Sequence, residues 1–103
     1  MRAAVFVEPG VVRVEDRPEP VIEKPTDALV RVTDACVCGS DLWWFRGISP
    51  REHGSLTGHE AMGVVEEVGS AVSSLAPGDF VIVPFTHGCG VCPVCRAGFD
   101  ADC

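Results

Sequence analysis

The chain has 103 residues, 47% of them hydrophobic and 22% charged, a composition that excludes a disordered polypeptide and fits one folded domain. Eight basic against fifteen acidic residues give a net charge of −7, a sign that opposes nucleic-acid backbones and anionic lipid, so neither partner is expected. No stretch approaches the ~20 consecutive apolar residues of a membrane span, and the opening MRAAVFVEPG meets an acid too soon to read as an export signal.

The apolar runs are short and punctuated by turn residues. Ala3–Val7 and Val11–Glu15 flank Glu8-Pro9-Gly10, which predicts a hairpin. The following stretch carries Pro18, Pro20 and Pro25 and can hold neither a central strand nor a helix. Ala28–Val32 alternates and predicts a strand with Arg31 facing out. Ser40–Arg46 predicts a short helix, with Ser40 or Asp41 as its cap. Gly63–Gly69 and Asp79–Phe85 predict two further strands, and Pro77-Gly78 between them has the chemistry of a type II turn. Many short strands with Gly/Pro punctuation predict a mainly β fold, a closed or partly closed barrel.

Six cysteines are present, and four of them, Cys89, Cys92, Cys95 and Cys103, fall at the C-terminal end in a C-x2-C-x2-C-x7-C pattern. Thiols two residues apart in a tight turn converge, and a more distant thiol closes a tetrahedron, which is the donor set Zn²⁺ prefers. Gly88, Gly90 and Gly98 allow the backbone to curl, and Pro93 stiffens it. Disulfides are the first alternative and an iron–sulfur cluster the second, although the x7 gap departs from the usual cluster spacing. Free structural thiols are the third. A second constellation comprises Cys38, Ser40 and Asp41 ahead of the helix and His59-Glu60 ahead of the next strand. Thiolate, imidazole and carboxylate with an open position are catalytic in character; the bland reading is a buried thiol and a polar turn.

The glycines around His59 tip this balance. GHEAMGVVEEVGSAV follows, position by position, the zinc signature G-H-E-x2-G-x5-G-x2-V of the medium-chain zinc-dependent alcohol dehydrogenases. CGSDL resembles the first catalytic-zinc segment of that family, PGDFVIVPF the strand leading to its structural-zinc lobe, and the four late cysteines the lobe itself. The chain thus resembles, over nearly its whole length, the N-terminal GroES-like part of such an enzyme.

The resemblance implies a GroES-like partly closed β-barrel over residues 1–103 with a structural-zinc lobe at 86–103. It implies Cys38 and His59 as catalytic-zinc ligands, and Glu60 as an exchanging third ligand or a close neighbour of the metal. Ser40 would take the proton of the substrate hydroxyl and Asp41 would orient His59. Trp43 and Phe85 would line the substrate pocket, with Trp44 a further candidate and ordinary core packing the alternative for both tryptophans. Cys89, Cys92, Cys95 and Cys103 would hold the structural ion. The implied cofactors are two Zn²⁺ per complete chain and NAD or NADP; the implied substrate is a small alcohol or aldehyde. The implied whole is a cytoplasmic homodimer or homotetramer.

Three departures from the family pattern stand out. No G-x-G-x-x-G is present, so the dinucleotide-binding Rossmann unit is expected outside this chain, which reads as an N-terminal piece inactive on its own. Trp43 stands where many members carry a relay histidine, and Gly39 where some carry a basic residue. Cys36 reads as a buried thiol with a weak alternative as a ligand, and His53 and His87 as loop residues. A stand-alone structural zinc module without catalysis is the competing functional reading.

Overall fold

A computed structural model describes residues 1–103. Two antiparallel sheets carry the fold. Strand β1 (Arg2–Glu8) pairs with β2 (Val11–Asp16), and β3 (Ala28–Ala35) pairs with β4 (Ala61–Val68), which pairs with β5 (Phe80–Val83). Helix α1 covers Asp41–Phe45 and α2 covers Pro93–Arg96, followed by a 3₁₀ turn at Asp100–Asp102. No helix is long and apolar enough to cross a membrane.

The hairpin forms where the alternation predicts it, with Gly10 at φ +81 closing the turn and a bulge between Phe6 and Glu8. β1 is the centre of the core because both of its faces are covered. Along its free edge the segment before His59 runs in extended pairing: the Phe6 amide donates to the Ser55 carbonyl, and that of Thr57 to the Ala4 carbonyl. Val5 and Phe6 are almost fully buried, and the Phe6 ring meets Trp44 of α1 edge-on at 5.3 Å. Trp44 is therefore a core residue, and Arg51 stacks over its outer face at 4.8 Å.

β3 runs three residues beyond the expected end at Val32, because Asp34 pairs with Met62 and Ala35 with Ala61. Ladder pairing outweighs the poor strand preference of Asp34. Gly63 lies where β3 and β4 come closest, and a Cβ there would overlap the Arg31 carbonyl oxygen. The Pro77-Gly78 turn forms with Gly78 at φ +98 and the Asp79 amide donating to the Ala76 carbonyl. β5 is shorter than the expected Asp79–Phe85, since Pro84 cannot continue the ladder.

Only seven of the 103 residues are buried. The Cα radius of gyration is 15.6 Å, against about 13 Å for a compact domain of this length. Large side chains such as Phe80, Ile82 and Val14 stand out from the sheets. The core is thin, centred on Val5 and Phe6 of β1 with Val65 of β4 also buried, and many large apolar side chains stay uncovered.

Candidate functional site

Strand register assembles the first site. Antiparallel pairing of Ala35 with Ala61 places the chain leaving β3 beside the chain entering β4, and Ala61 with Val83 brings the end of β5 to the same edge. The Cys36 amide donates to the Glu60 carbonyl at 3.2 Å, extending the ladder one step. Cys36 and Cys38, His59 and Glu60, and Phe85 thus meet at one end of the three-stranded sheet. The Phe85 ring meets the His59 ring at 4.7 Å between centroids.

The loop Cys38–Asp41 is held by its own turn. Asp41, the only buried charged residue, reaches back so that its Oδ2 accepts the Cys38 amide at 2.9 Å. Ser40 takes the expected N-cap position of α1, but without a side-chain cap bond. Ser40 Oγ instead lies 3.2 Å from His59 Nε2, while Asp41 Oδ1 lies 3.5 Å from His59 Nδ1. A carboxylate therefore faces Nδ1 at ion-pair range, while Nε2 turns to Ser40, and a metal bound at Nε2 would take the place of that hydrogen bond. The hydrogen bond from Ser40, then that from His59, holds the Cys38 thiol below its ordinary value. His59 is raised in turn, chiefly by Cys38 and then by the charge of Asp41 against the opposing cost of desolvation.

Donor atoms of Cys38, His59 and Glu60 lie within 4.8 Å of one another. A soft sulfur, an imidazole nitrogen and a carboxylate oxygen fit Zn²⁺, and three donors leave a position open. Cys36 is exposed, which corrects the expectation of a buried thiol, and its Sγ donates to Glu60 Oε2 at 2.9 Å. Trp43 is 58% exposed on the outer side of α1 and, unlike Trp44, makes no core contact with Phe6. His53 and His87 are exposed loop residues, and His53 Nδ1 lies 3.1 Å from the Val7 carbonyl oxygen.

The second site is the cysteine lobe. The four Sγ atoms of Cys89, Cys92, Cys95 and Cys103 lie within 4.8 Å of one another, and those of Cys89 and Cys95 are 4.0 Å apart. A tetrahedron with Zn–S bonds of ~2.3 Å has edges of about 3.8 Å, so the sulfurs stand close to zinc geometry with all positions filled by protein. All six cysteines are unpaired, so the disulfide alternative does not describe this lobe. Three amides point at sulfur: Cys92 to Cys89, Cys95 to Cys92 and Cys89 to Cys103, each at 3.4 Å. The amides of Val91 and Cys92, with the Cys103 thiol, lower Cys89 to about 6. The Gly90 amide pulls Cys95 down, but burial and the neighbouring sulfurs outweigh it and leave Cys95 at about 11.

Helix α2 was not legible as a helix beforehand. Its signal is Cys92-Pro93: proline at the first helical position after a residue whose side chain can cap. Cys92 Sγ accepts the Cys95 amide as that cap. The Cys36–Glu60 pairing was also missed, because it depends on strand register.

The fold and the signature residues define a family. The chain belongs to the alcohol dehydrogenase GroES-like domain family, whose model matches residues 24–103. It is 50% identical over 103 residues to zinc-type alcohol dehydrogenase B of Aspergillus flavus, covering all of this chain and 24% of that protein. It is 42% identical over 104 residues to an uncharacterized zinc-type alcohol dehydrogenase-like protein of Bacillus subtilis, covering all of this chain and 28% of that one. Among solved structures it matches alcohol dehydrogenase TADH from Thermus sp. ATN1 with a TM-score of 0.94 and 46% identity, over 100% of this chain and 30% of that chain. The fold is thus the mainly β, GroES-like one expected, and the chain spans about a quarter of the length of these curated relatives.

Proposed function

We propose that these residues form the first part of the catalytic domain of a zinc-dependent oxidoreductase. The complete protein would transfer hydride between a small alcohol or aldehyde and NAD or NADP. The observation carrying this reading is the contrast between two donor clusters. Four sulfurs make a closed site suited to structure, whereas Cys38, His59 and Glu60 make a three-donor site with room for an oxygen ligand.

In this reading Cys38 and His59 hold the catalytic zinc, with Glu60 as an exchangeable third donor. When bound, the ion supplies Lewis acidity that lowers the pKa of an alcohol or polarises a carbonyl. Asp41 fixes the ring and tautomer of His59 through Nδ1. Ser40, with its hydroxyl 3.2 Å from His59 Nε2, stands beside the metal-binding nitrogen and accepts the substrate hydroxyl proton. With Trp43 in place of a histidine, Ser40 would hand that proton to water or to hydroxyls that a bound nucleotide would supply, since indole has no acceptor nitrogen. Phe85, in edge contact with His59, would wall the substrate side; Trp43, expected from the resemblance at the same pocket, lies 58% exposed. Cys89, Cys92, Cys95 and Cys103 hold the structural zinc.

A nucleotide would bind through a dinucleotide-binding domain outside residues 1–103, and this stretch alone would not turn over. The complete enzyme works in the cytoplasm as a homodimer or homotetramer. Zinc analysis of the complete protein tests the reading. Two zincs per chain, with one lost in Cys38→Ala or His59→Ala together with NAD(P)H formation, supports it. One zinc that is indifferent to both substitutions favours a structural module without catalysis.

A further inference from the structure

Cys36 has no part in the chemistry assigned so far, yet it is tied to Glu60 twice. Its amide donates to the Glu60 carbonyl at 3.2 Å and its thiol donates to Glu60 Oε2 at 2.9 Å. The pairing register behind the first bond fixes the second, because Cys36 stands directly across the ladder from Glu60, one step beyond Ala35 and Ala61. Both residues line an open cavity of about 360 Å³ walled by Met62, Ile82 and Phe85, the last of which also meets the His59 ring. A carboxylate has two oxygens, and here one of them is occupied by a donor that is not the metal.

We infer that Cys36 is a positioning residue for Glu60: its thiol holds one carboxylate oxygen at the cavity edge and thereby limits how strongly Glu60 competes with an incoming oxygen ligand for the open position beside Cys38 and His59. This rests on the reading of Cys38, His59 and Glu60 as a metal site. Without the thiol, Glu60 swings freely and takes the open position more often. Substrate binding then weakens more than the chemical step slows. Serine in place of Cys36 keeps a donor on a side chain of similar length and restores the restraint.

The test uses the full-length protein with cobalt at the Cys38–His59 site and zinc retained in the cysteine lobe. Cys36 is exposed, so its replacement removes no core packing. Cys36→Ala is expected to shift the cobalt d–d bands, leave the thiolate-to-cobalt charge-transfer intensity unchanged and raise KM for an alcohol about tenfold with a smaller change in kcat. Cys36→Ser returns the spectrum and KM toward the parent. In a Glu60→Gln background, Cys36→Ala adds nothing further.

Unmoved d–d bands in Cys36→Ala overturn the inference, as does an effect that persists undiminished with Glu60→Gln. A halved charge-transfer band overturns it differently, by making Cys36 a ligand itself. Cobalt uptake at this site that ignores Cys38→Ala overturns the metal-site reading, and the role of Cys36 falls with it.

Discussion

The carboxylate of Asp41 faces Nδ1 of His59 at 3.5 Å, from a side chain that is otherwise buried in its own turn. One oxygen holds the loop closed through the Cys38 amide while the other aims the imidazole. A single residue therefore sets the positions of two donors on different strands' ends. Asp41→Asn keeps an acceptor for the Cys38 amide but removes the charge at Nδ1. Zinc affinity at this site of the complete protein is expected to fall about 10–100-fold, with the thermal midpoint little changed. Competition with a chelator measures the first and calorimetry the second; equal affinity in both proteins would remove Asp41 from the site.

Ser40 makes no capping bond to α1, so its hydroxyl is free for other work. Ser40→Ala in the complete enzyme should leave zinc content and fold intact. Turnover should fall on the order of 10²-fold, the lower range for loss of a positioned proton acceptor. Steady-state kinetics beside metal analysis checks this, and undiminished turnover would assign the proton to another group.

Cys92 serves at once as a sulfur donor and as the cap of α2, and serine separates these roles. A serine hydroxyl caps a helix well but is a poor zinc ligand beside three thiolates. Cys92→Ser should lose the lobe's zinc and lower the thermal midpoint of the complete protein by roughly 5–10 °C. Retained zinc with an unchanged midpoint would show that the lobe stands by packing alone.

Protonation of the lobe is uneven. The folded value of Cys89 is depressed from 9.0 to about 6 by the amides of Val91 and Cys92. Its thiolate therefore stabilises the metal-free lobe above the unfolded value, and that contribution is lost as pH falls through about 6. Cys95 behaves oppositely: at about 11 its contribution is present below 9.0 and lost as pH rises through 11. In metal-free protein, alkylation read by peptide mass spectrometry should modify Cys89 first, with a midpoint near pH 6, and Cys95 last. Uniform modification near pH 9 would contradict the amide-to-sulfur bonds.

Strand periodicity made the hairpin, β3 and β4 legible to within a few residues, since alternation and turn chemistry are local properties. What local pattern could not supply was register. The extension of β3 through Asp34 and Ala35, the facing of Cys36 and Glu60, and the edge contact of Phe85 with His59 all follow from which residues pair across the sheet. Ser40 takes the N-cap position of α1 as its residue type predicts, but the capping bond itself is missing. Ser40 and Asp41 are sound capping residues in isolation, but His59 arrives from another strand and draws both side chains toward itself. The four late cysteines were legible as a group because C-x2-C-x2-C converges within one turn, whereas Cys38 and His59 meet only through the strand register.

Gly63 sits two steps inside the ladder from Ala61 and contributes no side chain at all, yet the spacing of the Cys38–His59–Glu60 cluster would change without it. The Arg31 carbonyl fills the space that any other residue would claim. Even the single methyl of alanine would wedge β3 from β4 and carry the loop bearing Cys38 away from His59. An enlargement of this kind would be felt as a widened bite between donors that are all still present. A missing side chain thus sets how closely two backbones approach, and through them the distance across the site.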